Sequence, residues 1–406
     1  MEHTVVLVGS LDTKSDEYDF VRQLILDSGV GVLVVDTGVL GEPGFAADFT
    51  REQVAEAGGA QLADLVAAHD RGQALAVMAA GATRIVLDLQ SSGRIDGAMA
   101  LGGTGGTSVT ASAFRELPLG FPKLIVSTAA SGNTEAYIGE TDLILMPSIV
   151  DIAGLNRIST RILANAAAAL VGMVAHDDEL LQQSFAPLVA ASMFGVTTPC
   201  VTEARRLLEE LGYEVLVFHM TGSGGRALES LVRKGFFAGV LDVTTTELAD
   251  HLVGGVFDAG PDRLTAAGEL GVPQVVSVGA LDMVNFGPPD TVPPQFAGRT
   301  FYEHNSSVTL MRTTPAECAQ LGAEVARKLA AAKGSTSLFL PLRGISAIAT
   351  EGEPFYDQAA DDELFGAIRT GLAGSAVEVT ELETDINEPG FARAMVERLH
   401  AAITNT

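Results

Sequence analysis

Hydrophobic positions along the first half of the chain follow two alternating rhythms. Unbroken Val/Ile/Leu runs (TVVLVG from Thr4, VGVLVVD from Val30, IDGAMALG from Ile95, FPKLIVST from Phe121) alternate with stretches whose apolar residues recur every three or four positions. The latter are SDEYDFVRQLILDSG from Ser15, two segments between Arg51 and Gln90, and TSVTASAFREL from Thr107. A run without polar alternation belongs to a strand covered on both faces, and the 3.6-residue period belongs to the helices that cover it. The pattern predicts an α/β doubly wound parallel sheet.

After LILMP (Leu143 to Pro147) one long Ala-rich helix is expected from about Asp151 to His176, acting as a connector. The strand signal restarts near Pro187. Strands are expected at PLVAASMFG, YEVLVFH, FAGVLDV, PQVVSVG, VTLMR and SLFLPL, and helices at CVTEARRLLEELG, ALESLVRKG, PAECAQLGAEVARKLAAA and Pro389 to Ile403. At 406 residues the chain exceeds what one core serves, so two α/β domains are expected, 1–180 and 185–406. Both halves repeat an order of strand, polar turn and helix, which is consistent with a duplicated unit.

Charge narrows the partners. Lys and Arg number 25 against 51 Asp and Glu, a formal net charge of −26, so phosphate backbones and anionic lipid surfaces are repelled. Nucleic acid and membrane are excluded as expected partners. MEHTVVLVGSLDTK has no basic leader pattern, and the most membrane-like window, Ile162 to Ala175, is 14 residues long and contains Asn165, so a cytoplasmic protein is expected. Cys200 and Cys318 are too few for a disulfide framework and are read as small buried apolar residues.

Ligands of open parallel sheets bind beyond the carboxyl ends of the strands, and the chemistry-bearing residues gather there. LGGTGGTS places Gly102, Gly103, Gly105 and Gly106 among Thr104, Thr107 and Ser108. Glycines let consecutive N–H groups face one point, and the following helix adds its positive end, which together suit a phosphate. The loop SGNT (Ser131, Gly132, Asn133, Thr134) follows the next strand, and Asp12, Thr13 and Lys14 follow the first. Lys14 is a candidate point charge for a phosphate oxygen, and Asp12 and Asp36 are candidates for Mg²⁺. No GxxxxGK[ST] loop and no zinc spacing occur.

In the second half GSGGRA (Gly222, Gly224, Gly225, Arg226) satisfies GxGxxA, and Asp242 stands twenty residues after Gly222, as a dinucleotide pattern asks. His219, the TTTE of Thr244 to Glu247, Asp282, Asn285, His304, Asn305, Arg312 and Arg343 are loop polars expected to converge on one pocket.

The phrases VGSLDTKSDEY, LGGTGGTS, SGNTEAYIGETDL, VDIAGLNRISTRILANAA, SMFGVTTPCVTEAR, FHMTGSGGRALE, LDVTTTELADHLVGG, GALDMVNFGPP, HNSSVTLMRTT and PLRGISA span nearly the whole chain. Together they resemble the family that contains the ATP-binding N-terminal region of the tomato tobamovirus-resistance protein, whose bacterial members form an uncharacterised protein family. The resemblance implies two Rossmann-like domains with a cleft between them, ATP and Mg²⁺ as cofactors, and a homodimer. The plant protein carries a further C-terminal domain and an antiviral role, and that role is not carried over.

The expected activity is that of an ATP-dependent transferase, ligase or hydrolase acting on a small-molecule co-substrate. The two first-half glycine and hydroxyl loops, Lys14 and Mg²⁺ at Asp12 or Asp36 would hold the nucleotide. The second-half loop and Asp242 would hold the co-substrate, with Glu247, His304 and Arg343 as the catalytic candidates. The alternatives are a nucleotide-responsive binding protein without turnover and an NAD-linked oxidoreductase using GSGGRA and Asp242.

Overall fold

The computed structural model describes residues 3–176 and 186–405, which form two compact units, Met1–Gln182 and Gln183–Thr406. The junction expected at 180–185 lies outside the described residues.

In the first unit the order is β1 (Thr4–Gly9), α1 (Ser15–Asp27), β2 (Gly31–Asp36), α2 (Arg51–Ala57), α3 (Leu62–Ala68), α4 (Arg71–Ser91), β3 (Gly97–Gly102), α5 (Thr104–Arg115), β4 (Lys123–Ser127), α6 (Glu135–Ile138), β5 (Ile144–Pro147) and α7 (Ser159–Val174). The strands form one parallel sheet in the order β2-β1-β3-β4-β5. The two-residue pleat sorts the core. Val5 and Leu7 of β1 face α1 and α7, whereas Val6 and Val8 face α2 to α5. Helices therefore leave β1 and β3 toward opposite faces, and the switch point lies between those two strands.

Two sequence expectations shift in this unit. The helix expected from Asp151 begins at Ser159 because Asn156 Oδ1 accepts the Ile158 and Ser159 amides and starts the helix there. Two helical stretches were expected between Arg51 and Gln90, and there are three. Helix α4 is also the described helix whose 21 residues are long and apolar enough to cross a membrane, a window the hydropathy reading passed over in favour of Ile162 to Ala175. Its Ala74, Met78, Gly81, Ala82, Val86 and Leu89 are buried in the unit's own core, as in a core helix of a folded domain.

The second unit runs β6 (Leu188–Met193), α8 (Thr198–Glu210), β7 (Glu214–His219), α9 (Ser223–Arg233), β8 (Gly239–Thr244), α10 (Glu247–Val253), α11 (Ala266–Leu270), β9 (Gln274–Gly279), β10 (Met283–Phe286), β11 (Phe301–Asn305), β12 (Val308–Arg312), α12 (Pro315–Ala330), β13 (Thr336–Pro341), α13 (Gln358–Leu372), β14 (Glu378–Leu382) and α14 (Pro389–Thr404). Its parallel sheet has the order β14-β13-β9-β8-β6-β7, which repeats the first unit's 2-1-3-4-5 pattern and extends it by one strand. Helices α8 and α14 cover one face, and α9 to α13 the other.

A three-stranded antiparallel sheet, β10-β12-β11, is inserted between β9 and α12. Its strands β10 and β11, and the elements α13 and β14, were not anticipated. Met283–Phe286 is a four-residue strand lying beside a Gly/Pro-rich stretch, too short for its period to show. Both cysteines are buried and free.

Candidate functional site

At the first unit's switch point the sheet is opened by a side chain. Strands β1 and β3 pair from Val5↔Gly97 to Val8↔Ala100 and then part. The fully buried Tyr18 hydroxyl enters the gap, donating toward Val8 O (2.6 Å) and Leu101 O (2.9 Å) while accepting from Leu101 N (2.9 Å). Burial holds this phenol well above its usual pKa. Gly9 makes the insertion sterically feasible, since a Cβ there would lie 1.8 Å from the Tyr18 oxygen.

Beyond β3 the LGGTGGTS residues close the strand and start α5. Gly102 ends β3, Gly103 is the N-cap in an extended conformation, and Thr104, Gly105 and Gly106 form the first turn, with no side-chain cap on their amides. None of these glycines has a positive φ, so backbone strain does not explain them. A Cβ at Gly106 would meet nothing within 4 Å, and one at Gly103 only Thr128 Oγ1 at 3.7 Å. A Cβ at Gly105 would lie 3.2 Å from Nη2 of Arg71, the exposed first residue of α4. Arg71 makes no hydrogen bond or ion pair among the described residues, and sequence reasoning missed it because it lies over thirty positions from the loop.

The other first-unit candidates divide. Thr104 and Ser108 are exposed, but Thr107 is buried and braces the loop, bonding Gly103 O (2.9 Å) and Ser127 Oγ (2.6 Å). Thr107 is therefore an internal tie and not a ligand hydroxyl. Ser131, Gly132 and Asn133 are exposed after β4, Thr134 is half-buried, and Asn133 Oδ1 accepts the Glu135 amide. Thr13 is exposed after β1. Lys14 turns its ammonium to the Ile152 carbonyl, and Glu17 accepts the Gly154 amide (2.6 Å), so this end of α1 pins the segment that follows β5.

Asp12 and Asp36 meet around the turn after β2. Asp36 Oδ1 accepts Leu11 N (3.0 Å) and Gly38 N (2.8 Å), and Asp12 Oδ2 accepts the amides of Val39, Leu40 and Gly41 at 3.0–3.3 Å. Burial, with Asp12 adding repulsion, pushes the Asp36 carboxyl up. Asp12 Oδ1 is buried with no partner. Among the described residues no group of three or more metal-ligating side chains forms. The pair therefore fits a cation only as Mg²⁺ is usually held, through one or two carboxylates plus oxygens that the ligand brings.

The second unit overturns the dinucleotide reading. Its loop also opens a helix, α9, with Gly222 as N-cap at φ 83°. Here, however, the anion position is filled from within: Glu247 Oε1 accepts Gly222 N (2.7 Å) and Gly225 N (3.0 Å). A Cβ at Gly225 would lie 1.9 Å from Glu247 Oε2, and one at Gly224 1.9 Å from the His219 carbonyl, so close packing explains both glycines. Arg226 reaches the Asp258 carbonyl (3.1 Å).

Asp242 is not available to a ribose. It is buried and held by Ser192 Oγ (2.6 Å) and, in a two-pronged pair, by Arg263 Nη1 (2.6 Å) and Nη2 (2.7 Å). Arg263 is fully buried and also holds Glu247 Oε2 (2.7 Å), the Thr244 carbonyl (3.1 Å) and Glu229 (3.4 Å). Glu229 in turn accepts the amides of Leu264, Thr265 and Ala266. Neither Arg263 nor Glu229 carried a sequence signal, since each meets partners many positions away.

The proposed catalytic set does not assemble. Glu247 is fully buried, and burial raises its pKa against the pull of Arg263. His304 is exposed on β11, and Arg343 is exposed after β13 beside Glu383 (3.5 Å). No hydrogen bond or ion pair links any two of the three among the described residues. Thr244, Thr245 and Thr246, Asp282, Asn285 and Arg312 are likewise buried and knit into the core, while Asn305 is exposed and His219 stacks on Phe194 (5.4 Å) with its pKa lowered by burial.

Comparison with known proteins agrees along the full length. An UPF0261 protein of Clostridium tetani is 47% identical over 98% of both chains. The tomato (Solanum lycopersicum) ToMV resistance protein Tm-1(GCR237) is 42% identical over 97% of this chain, which spans 55% of that protein. A UDP-N-acetylglucosamine 2-epimerase structure from Rickettsia bellii aligns over 99% of this chain and 96% of its own, at 10% identity and a TM-score of 0.23. The N-terminal and C-terminal domain models of the uncharacterised protein family UPF0261 match residues 3–179 and 186–403, and the chain belongs to that family.

Proposed function

We propose that the first unit binds Mg-ATP, with the phosphates on the N-terminus of α5, and that the chain uses it on a small metabolite. One observation carries this reading: of two similar glycine-rich helix starts, the second is plugged by Glu247, whereas the first leaves its amides uncapped and Gly103 and Gly106 facing open space. Glycines unexplained by internal packing, beside the helix's positive end, suit an anion that approaches the backbone closely. Arg71 adds the guanidinium that a phosphate favours. Asp12, through its unpartnered Oδ1, with Asp36 behind it, would hold Mg²⁺, which would neutralise phosphate charge. The protein's own part is then electrostatic positioning, most of what phosphoryl transfer requires.

The test exploits the helix dipole. Glu at Gly106, the third helical position, favours the helix but repels a phosphate. Gly106→Glu should keep or raise thermal stability and weaken Mg-ATP binding at least tenfold by calorimetry, as should Arg71→Glu. Unchanged affinity in both, or no saturable Mg-ATP binding by the parent chain, would sink the proposal. The engagement of Glu247 and the exposure of His304 and Arg343 favour a second reading, ATP as a regulatory ligand without turnover; nucleotide hydrolysis or transfer with any metabolite extract would remove it.

A further inference from the structure

We propose that Tyr18 is the positioning residue of the first unit's nucleotide site: its sealed hydroxyl sets the spacing between the Asp12 loop and the glycine-rich start of α5. The inference rests on the Mg-ATP reading above and names the residue that makes the two halves of that site act together.

The halves come from different strands. Asp12 follows β1, the uncapped amides follow β3, and the ladder between these strands ends at Val8↔Ala100, so no strand pairing fixes the loops beyond it. Tyr18, reaching in from α1, supplies the tie. Its hydroxyl lies 2.6 Å from Val8 O, four residues before Asp12, and 2.9 Å from both N and O of Leu101, two residues before the N-cap Gly103. Tyr18 is fully buried, so its hydroxyl touches no ligand and acts through these backbone groups alone.

The second unit shows that the fold itself does not demand such a wedge. Its strands β6 and β8, which correspond to β1 and β3 in sheet order, pair only as far as Ala191↔Leu241. Short buried hydroxyls close the gap there: Ser192 Oγ accepts the Thr244 amide (2.8 Å), and Thr244 Oγ1 meets Thr197 Oγ1 (2.7 Å). The unit whose nest is filled by Glu247 is thus stitched with serine and threonine, and the unit whose nest is uncapped carries the tyrosine.

Spacing matters most to the metal. A phosphate at a helix start is held by several amides and the helix end together, whereas Mg²⁺ demands near-ideal octahedral oxygens at about 2.0–2.1 Å. Removing the hydroxyl leaves the Val8 and Leu101 groups without their partner and frees the two loops to shift relative to each other. The loss should therefore fall on the magnesium contribution to ATP binding, rather than on ATP binding itself.

Calorimetry on the full chain, with ATP in EDTA and then in Mg²⁺, gives that contribution as the ratio of the two Kd values, a coupling between metal and nucleotide. The parent's ratio should be at least tenfold. Tyr18→Phe should cut it at least fivefold while metal-free ATP affinity stays within threefold, and so should Gly9→Ala, whose Cβ would lie 1.8 Å from the Tyr18 oxygen and displace it. Leu89→Ala, buried near the end of α4 far from Arg71, opens a cavity in the same unit and should leave the ratio unchanged. Circular dichroism checks that each variant is folded at the assay temperature. A cut below fivefold in Tyr18→Phe, or an equal cut in Leu89→Ala, overturns this inference and leaves the nucleotide reading standing; no saturable Mg-ATP binding by the parent removes both.

Discussion

Replacing Arg263 by Met should cost the second unit about 3–5 kcal/mol, the range for breaking a buried pair by removing one partner. The geometry says where the loss falls. Glu229 keeps its three backbone amides and Glu247 keeps those of Gly222 and Gly225, but Asp242 retains only the Ser192 hydroxyl at 2.6 Å. Asp242 is then a buried carboxylate without a counter-charge, so most of the penalty belongs to it. Arg263→Met with Asp242→Asn should therefore recover at least about 2 kcal/mol, a coupling in the range of contacting residues. At roughly 2–4 °C per kcal/mol, the single variant should lower the melting midpoint of the second unit by about 6–20 °C. Calorimetry and far-UV circular dichroism serve as probes, since the chain has no tryptophan and two units need not melt together. A cost below about 1 kcal/mol, or additivity of the two substitutions, would refute the assignment of Arg263 as the counter-ion of this cluster.

The same unit should become more stable on mild acidification. Burial pushes Asp250 up to about 7 and Asp361 up to about 6; groups with raised folded pKa values bind protons more tightly when folded, so stability rises as pH falls through 7 and 6. Linkage gives about 3 kcal/mol from Asp250 and about 1 from Asp361 between pH 8 and 5, and urea denaturation showing a flat or falling profile there would contradict it. Gly225→Ala should destabilise by more than about 2 kcal/mol, because its Cβ would lie 1.9 Å from Glu247 Oε2, whereas Gly106→Ala, in open space within a helix, should be neutral or gain up to about 1 kcal/mol; equal effects in thermal melts would erase the distinction between the two loops. Tyr18→Phe should cost about 2–3 kcal/mol in the first unit, since it strips partners from Val8 O and from Leu101 N and O, and hydrogen exchange should find the Leu101 amide newly exposed.

Most of the architecture was legible in the pattern of apolar residues, because strands buried on both faces read as continuous Val/Ile/Leu runs and helices as a 3.6-residue period. What escaped notice had a physical reason. The strand Met283–Phe286 is too short to show a period, and its antiparallel sheet interrupts the α/β rhythm. The length of α4 was missed because its apolar residues are spread among small alanines and glycines rather than concentrated in one run.

The two glycine loops mark the limit of reading sites from sequence. GGTGGTS lacks a dinucleotide fingerprint and GSGGRA has one, yet it is the amides of the second loop that a carboxylate of the same unit occupies. The difference lies in long-range partners: Glu247 comes from the start of α10 to fill the second nest, and Arg263, between α10 and α11, neutralises the cluster behind it. In the first unit the side chain beside Gly105 is Arg71, a cation, and among the described residues no side chain caps the amides that open α5. A glycine-rich helix start is thus undetermined until the charge opposite it is known. That charge is set by tertiary contacts spanning 22 to 34 residues, a range over which local spacing carries no information.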